Sequence, residues 1–201
     1  MLTKKTMTHS IYVILAVITM GFALSWLILI NMGTDPYTAL NYAVSRKLGI
    51  SIGNWQAILN SILFFIVLFS DRKYIGLGTL ANMFLVGYSL DFFLALWNKV
   101  LPADLFTKLP VRIGILVPSL LVFVLAAAVY MDMNLGTGPY DAVAFILAKK
   151  FPKVSLKAVR IIYDSSVIVI AFALDGSIGI LTVLIAFTLG PAVEWVGRLI
   201  A

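Results

Sequence analysis

The sequence has no cysteine and only one histidine, His9. The absence of cysteine excludes disulfide bonds, thiolate metal sites and cysteine nucleophiles. One histidine near the N-terminus is too little for a histidine-dependent membrane hydrolase or a multi-histidine metal centre. No GxxxxGK[ST] loop occurs either, so the chain carries no Walker-type nucleotide loop. We therefore expect a protein that is not an enzyme and has no cofactor and no metal site.

Charge is also scarce, at 12% of the 201 residues, whereas hydrophobic residues make up 62%. The mean hydropathy of +1.04 is far above that of a soluble domain of this length and indicates an integral membrane protein. Continuous apolar runs favour helices over a barrel, whose strands alternate apolar and polar residues. The net charge of +6 lies in short basic runs between apolar segments, which is typical of topology selection. We expect a lipid bilayer as the main partner and no nucleic acid.

Six segments are long and apolar enough to cross a bilayer, which needs roughly 20 helical residues. The first follows Lys4 and Lys5 like a signal peptide, but its apolar stretch is too long and no cleavage site follows, so we expect it to be retained. The sequence predicts an all-α membrane protein with a single transmembrane domain over residues 1–201. The predicted spans are 11–30, 53–70, 75–97, 111–131, 156–174 and 178–200.

Lysine and arginine near the span ends predict the orientation, because cytoplasmic loops are enriched in them. If the N-terminus is inside, the inner side holds more of these lysines and arginines than the outer side. Both termini are therefore expected in the cytoplasm. The inner residues are Lys4, Lys5, Arg72, Lys73, Lys149, Lys150, Lys153, Lys157 and Arg198, and the outer ones are Arg46, Lys47, Lys99, Lys108 and Arg112.

The chain contains an internal repeat. A shift of 103 positions superimposes "NMGTDPYTAL", which begins at Asn31, on "NLGTGPYDAV", which begins at Asn134. Repeat 1 then covers residues 11–97 and repeat 2 covers 111–200, joined by a linker over 98–110. Because each repeat holds three spans, the second enters the membrane from the opposite side, and the sequence predicts two inverted three-helix repeats. Such repeats recur in secondary transporters, which is an argument by analogy. The same offset also pairs Gly76 with Gly179, Thr79 with Thr182, Gly87 with Gly190 and Asp91 with Glu194.

The repeated GTxPY turn is expected to begin a short helix in each half. Its glycine permits a positive φ and its proline suits the first helical turn. Thr34 and Thr137 lie near the expected N-cap positions. The helices that follow, 36–48 and 139–151, are too short to span, so they are either amphipathic helices on the membrane surface or re-entrant helices whose N-termini point to the protein centre. A plain connector that was duplicated with the gene is an equal alternative.

Polar residues inside the spans are the other site candidates, because they are costly in a bilayer. An offset of 104 aligns Gln56 with Arg160 and Asn60 with Asp164, each pair spaced i, i+4 on one helix face. Arg160 and Asp164 would form either a local ion pair or a substrate- or proton-linked site. The acidic residues Asp91 and Glu194 are secondary candidates, equally consistent with hydration at a membrane edge. The same offset aligns Ser51 with Ser155.

The candidate ligand site therefore combines the two turns with the polar residues of the second and fifth spans. Its ligand would be a small molecule of unknown identity. Arg160 and the helix N-termini favour an anionic group, whereas the carboxylates favour a cation or a proton. The site residues are Asn31, Gly33, Thr34, Asp35, Pro36, Tyr37, Asn134, Gly136, Thr137, Gly138, Pro139, Tyr140, Asp141, Gln56, Asn60, Arg160 and Asp164.

The stretches "GTDPYTAL" and "GTGPYDAV" resemble the YczE/YyaS/YitT group of bacterial integral membrane proteins, in which a glycine and a Pro-Tyr or Pro-Trp pair open a short helix. The second copy fits the family pattern more closely than the first. In the first copy, Asp35 replaces a glycine, and Thr38 occupies the position of Asp141 in the second. The resemblance implies a multi-pass protein of the bacterial plasma (inner) membrane, with transport suspected and no substrate attached. It also implies the short form, without the C-terminal soluble domain of larger YitT-like members.

Three functions are compatible with these features. The first is a small secondary transporter with its ligand site between the repeats. The second is a substrate-binding subunit of a multi-component importer, similar to the six-span components of energy-coupling-factor systems. The third is a non-transporting membrane partner or assembly protein. A homodimer or an assembly with partner subunits is compatible with each.

Overall fold

The structure is a computed structural model that describes residues 4–200, which contain eight α-helices, two short 3-10 helices and no strand. This confirms the expected all-helical class. Residues 1–3 and 201 of the expected domain, and the side chains of Lys4 and Lys5 used for the orientation, lie outside the described part. The α-helices are α1 Lys4–Leu29, α2 Pro36–Leu48, α3 Ile52–Ser70, α4 Leu77–Val100, α5 Leu109–Asp132, α6 Pro139–Lys150, α7 Leu156–Ala173 and α8 Ile180–Ile200.

Five helices in the described range are long and apolar enough to cross a membrane: α1, α3, α4, α5 and α8. They coincide with five of the six expected spans and support a multi-pass membrane protein. The remaining expected span, 156–174, coincides with α7, which has 18 residues. Lys157, Arg160 and Asp164 make α7 more highly charged than the other five long helices.

The long helices alternate in direction between two ends of the bundle. At one end, which we call the Arg112 end, α1 and α4 finish and α5 and α8 begin. There the Arg112 guanidinium donates to the carbonyls of Ile30 and Asn31 at 2.6 and 2.7 Å, which satisfies carbonyls left free at the end of α1. At the other end, the Asp71 end, α3 and α5 finish and α4 begins. The hydroxyl of Tyr130 donates to the Gly78 carbonyl there.

Helix α1 forms the centre of the core, between α4 and α5. Its side chains Val17, Ala23 and Leu27 are fully buried. Gly21 lets α4 approach closely, since a Cβ at this position would lie 2.8 Å from the Val86 carbonyl oxygen. Lipid tails are as apolar as helix surfaces, so the hydrophobic effect does not drive helices together in a bilayer. Close van der Waals packing through small residues takes its place.

The short helices α2 and α6 pack inside the bundle. α2 packs mainly on α7, and α6 packs mainly on α3, so each contacts a long helix from the other half of the chain. Ala39, Asn41 and Ala43 of α2 are buried, and so are Ala142 and Ala144 of α6. Their small side chains permit this close packing.

The N-caps of the two short helices differ from the expected threonines. Asp35 caps α2, and its Oδ1 accepts from the backbone N–H of Thr38 at 3.0 Å. Gly138 is the N-cap of α6. The prediction of Thr34 and Thr137 was wrong because a proline at the first helical position forces the residue directly before it into extended backbone, which is the N-cap conformation.

Candidate functional site

The two turns dock on each other's halves. Gly33, with φ +101°, lies against the start of α8, where an added Cβ would be 2.5 Å from Thr182 Oγ1. Gly136, with φ +106°, lies in the same way against the start of α4, where an added Cβ would be 2.5 Å from Thr79 Oγ1. Only glycine combines this backbone conformation with so close an approach. Each turn glycine thus joins the turn after the first helix of its own half to the start of the last helix of the other half.

The second turn is held by backbone hydrogen bonds as well. The N–H of Gly78 donates to the Leu135 carbonyl at 2.7 Å, and the N–H of Thr137 donates to the Tyr74 carbonyl at 2.9 Å. The first turn is held by side chains, with Ser177 donating to Asn31 Oδ1. Both turns are therefore fixed at the periphery of the site, one at each end of the bundle.

The N-termini of α2 and α6 meet at the centre. The rings of Tyr37 and Tyr140 stack there with centroids 4.4 Å apart. The C-termini of the two helices point to opposite ends, because Lys47 pairs with Asp175 beyond α7 at 3.1 Å and Lys149 pairs with Asp71 beyond α3 at 2.9 Å. The hydrogen bond from Lys149 lowers the pKa of the Asp71 carboxyl below its usual value.

Each tyrosine also donates a hydrogen bond to one of the two residues that the offset of 104 aligns, Asn60 and Asp164. The Tyr37 hydroxyl donates to Asn60 Oδ1 at 2.7 Å, and the Tyr140 hydroxyl donates to Asp164 Oδ1 at 2.6 Å. Asn60 and Asp164 are both buried. The two halves thus build the same tyrosine contact with a neutral acceptor in one and a carboxyl in the other.

Arg160 has a partner on another helix. Its Nη1 lies 2.7 Å from Oδ1 of Asp141, which stands in the first turn of α6. Arg160 forms no ion pair with Asp164 in the described structure, so the alternative of a local pair between them is wrong. The reason lies in the packing of α6 on α7. Asp141 of α6 pairs with Arg160, and Tyr140 of α6 donates its hydroxyl to Asp164.

A cavity of about 680 Å³ extends from this centre to the Asp71 end. It lies among α2, α5, α6, α7 and α8, with contributions from α1, α3 and α4. The predicted site residues that line it are Asp35, Pro36, Tyr37, Gln56, Asn134, Gly138, Tyr140, Asp141, Arg160, Asp164 and Glu194. The cavity wall does not include the predicted residues Asn31, Gly33, Thr34, Asn60, Asp91, Gly136, Thr137 or Pro139.

Asp35 is the polar group at the cavity whose partners are incomplete. Its side chain is only 7% exposed, and its Oδ1 caps α2. Its Oδ2 has no hydrogen-bond partner within the described residues. Buried polar atoms are nearly always satisfied, and this carboxylate oxygen is free to accept a hydrogen bond from a group in the cavity.

The secondary candidates Asp91 and Glu194 have different surroundings. Asp91 accepts from the backbone N–H groups of Ile52 and Gly53 at 3.1 and 2.8 Å and so fastens the start of α3 to α4. Glu194 lines the cavity near the Asp71 end and pairs with Arg198 on its own helix.

Several residues at the site were not predicted. Tyr130, Asp132 and Lys157 line the cavity although the sequence offered no reason to select them. The ion pairs of Asp71 and Asp175 could have been found, because these two aspartates are related by the same offset of 104 that aligns Asn60 with Asp164.

The Family of unknown function (DUF6198) matches residues 7–198. The chain belongs to this family. The chain is also similar to an uncharacterized Haemophilus influenzae protein, 29% identical over 90% of this chain and 80% of its own length. The uncharacterized membrane protein YczE of Bacillus subtilis is 29% identical over 79% of this chain and 71% of its own length. The uncharacterized protein YyaS of the same organism is 26% identical over 85% of this chain and 83% of its own length. The resemblance to the YczE/YyaS group is confirmed, and no solved structure matches the chain.

Proposed function

We propose that this protein is a small secondary transporter of the bacterial plasma membrane, with its substrate site in the central cavity. It has six spans in two inverted repeats, of which α7 is the fifth span. The helix lengths support the repeat, because 26, 13, 19 and 24 residues in the first half are followed by 24, 12, 18 and 21 in the second. The polar side chains of α7 turn to α6 and the cavity, as expected for charges within a span.

In this proposal α2 and α6 are re-entrant helices. Their N-terminal tyrosines meet at the centre, and their basic C-termini reach opposite ends of the bundle. Non-helical backbone at membrane depth is tolerated where protein buries it, and residues 33–35 before α2 are buried. The greater number of cations at the Asp71 end makes that end cytoplasmic, so the cavity faces the cytoplasm.

The observation that carries the proposal is that corresponding helix pairs of the two halves differ in separation. In the first half α3 and α4 are closed at the Arg112 end, where a Cβ added to Gly87 would lie 2.8 Å from the Gly53 Cα. The Asp91 carboxylate seals this contact by accepting the first two amides of α3. No solute could pass between these two helices.

In the second half the corresponding helices α7 and α8 stand apart at the Asp71 end. Gly190, the counterpart of Gly87, has no atom of a neighbouring element within 4 Å of an added Cβ. Glu194, the counterpart of Asp91, pairs with Arg198 instead of the start of α7. The cavity occupies the gap. Alternating access needs two similar halves that exchange an open and a closed state, so the pair of states supports transport.

A disulfide tests this proposal directly, because the natural chain has no cysteine. Lys157 and Gly190 correspond to Gly53 and Gly87, so a K157C/G190C variant should cross-link when α7 and α8 close. Purified protein is placed in proteoliposomes with radiolabelled choline, succinate, leucine and glucose. We expect protein-dependent uptake of at least one solute, blocked by oxidation of the double variant and restored by reduction.

The oxidised single variants K157C and G190C are the controls, and their uptake should persist. Absence of uptake for all four solutes by folded protein would overturn the proposal and favour a membrane partner protein. Uptake that continues at full rate in the cross-linked protein would contradict the alternation of α7 and α8. Co-purification of an ATPase with the native protein would favour the importer subunit.

A further inference from the structure

We infer that the cavity takes an organic cation, whose ammonium group lies between Asp35 and Asp164 while its apolar part lies along the cavity wall. This inference rests on the proposed function and names the substrate class of the same site. It is drawn from the distribution of charge, hydrogen-bond donors and apolar surface around the meeting point of α2 and α6.

The charge balance at the centre leaves two carboxyl groups without a cation. Arg160 is paired with Asp141, which neutralises both. Asp35 and Asp164 are 7% and 5% exposed, and no lysine, arginine or histidine of the described residues lies within 4.0 Å of either carboxyl group. Isolated carboxylates away from water are costly, so this pair calls for a positive ligand or for protons that such a ligand displaces.

The available hydrogen-bond positions also favour a donor as ligand. The protein donors to these carboxyl groups are the N–H and the hydroxyl of Thr38 for Asp35 and the Tyr140 hydroxyl for Asp164. Asp35 Oδ2 has no partner within the described residues. An ionised carboxylate only accepts, so the ligand group beside it must donate, as an ammonium does.

The helix N-termini do not reverse this preference. Each helix start carries about half a positive charge, which would attract an anion if it were uncompensated. Asp35 caps the start of α2, and Asp141 stands in the first turn of α6. An anion entering here would meet the partly compensated helix ends together with two unpaired carboxyl groups.

The remaining wall fits an organic molecule better than a metal ion. Residues 4–200 contain no group of three or more acidic, histidine or cysteine side chains that could hold a metal. The wall includes the apolar side chains of Val86, Phe123, Phe145 and Ile185. A volume of about 680 Å³ lies within the range of sites for drug-sized ligands, which combine apolar walls with a few polar groups.

Three probes with one carbon skeleton test the inference: 2-phenylethylammonium, 2-phenylethanol and phenylacetate. Binding to the full chain in detergent is measured by the shift in unfolding temperature over a concentration series. We expect the ammonium probe to stabilise the protein and the alcohol and the carboxylate to bind at least about tenfold more weakly. Equal binding of the alcohol, or tighter binding of phenylacetate, would overturn the inference.

Two substitutions locate the ammonium. D35N keeps an N-cap side chain, and D164N reproduces the Tyr-to-Asn contact that Tyr37 and Asn60 already form, so both variants should fold. Each should raise the Kd of the ammonium probe about tenfold or more. D104N, which removes an exposed carboxylate from the 3-10 helix Ala103–Thr107, is the matched control and should bind as the natural chain does. Unchanged affinity in both D35N and D164N would overturn the site.

The outcome separates this inference from the proposed function. Uptake of succinate, leucine or glucose without choline, together with failure of the ammonium probe to bind, would leave transport standing and remove the cation. Binding of the ammonium probe that depends on Asp35 and Asp164, without uptake of any solute, would leave the cation site standing and remove transport.

Discussion

Tyr37 and Tyr140, 103 positions apart in the sequence, stack at the meeting point of two helix N-termini with ring centroids 4.4 Å apart. Each donates its hydroxyl to the long helix that follows its own short helix, to Asn60 in one half and Asp164 in the other. The centre of the protein is therefore nearly symmetric in shape and asymmetric in charge. This asymmetry allows the two related contacts to be compared within one molecule.

Removal of the two hydroxyls should have unequal effects. Y37F loses a hydrogen bond to a neutral amide, which is worth about 0.5–1.5 kcal/mol, whereas Y140F loses one to a carboxylate, worth about 1.5–3 kcal/mol. We expect the lower unfolding temperature for Y140F in detergent. Y12F, on an exposed side chain of α1, is the control. Equal losses for Y37F and Y140F would argue that Asp164 is uncharged in the folded protein.

Alanine at the turn glycines should be strongly destabilising. G33A and G136A each place a Cβ at positive φ and within 2.5 Å of a threonine hydroxyl, so we expect a loss of roughly 2–5 kcal/mol from strain and overpacking. G49A has a positive φ but no atom within 4 Å, and should lose only about 1–2 kcal/mol. Thermal unfolding measures all three, and a loss in G33A no larger than in G49A would contradict the tight docking.

Loss of the Asp91 carboxylate should loosen α3 from α4. In D91N the Ile52 and Gly53 amides lose a charged acceptor, so the start of α3 should separate more often. A single cysteine at buried Ile52 reports this through its rate of labelling by a membrane-impermeant maleimide, which we expect to rise in D91N. E194Q combined with I52C should leave the labelling rate of I52C unchanged, because Glu194 pairs within α8. Equal rates in I52C alone and with D91N would contradict the sealing role.

The Asp71–Lys149 pair should make stability depend on pH. Lys149 lowers the pKa of Asp71 in the folded protein, so the pair stabilises the fold above the unfolded pKa of about 3.9. That contribution is lost as pH falls through the depressed folded value. D71N should therefore unfold at a lower temperature than the natural chain at pH 7, and the difference should shrink towards pH 3. A difference that stays constant with pH would show that the Asp71–Lys149 pair is not its cause. K150M is the control for removal of a neighbouring charge.

The sequence predicts the helices of this fold well, because hydropathy and proline position are local signals. The predicted span 53–70 is α3 to within one residue, and α2 and α6 begin at the two prolines as expected. The limit is reached at α7, where Arg160 and Asp164 lower the hydropathy for a reason that lies outside the helix. Their partners come from α6, so a window along α7 cannot distinguish a polar surface helix from a span with a polar face.

The site was predictable in its members but not in its pairings. The turns and the offset of 104 selected Tyr140, Arg160, Asp141 and Asp164, all of which line the cavity. The i, i+4 rule offered a local pair of Arg160 with Asp164 as one alternative, because that rule considers one helix only. The observed pairs cross between α6 and α7. Asp35 was selected only as part of the GTxPY motif. Its unpartnered oxygen could not be predicted, because no sequence pattern shows that this side chain is buried.

The reciprocal docking of the turns also bears on how the protein is made. The turn after α1 packs on the start of α8, and the turn after α5 packs on the start of α4. When synthesis has delivered only α1–α4 to the bilayer, the Gly33 turn has no surface to dock on, and the start of α4 lacks its partner from the second half. The Gly33 turn can therefore dock only after α8 has been synthesised. Assembly of the cavity is then the last step of biogenesis.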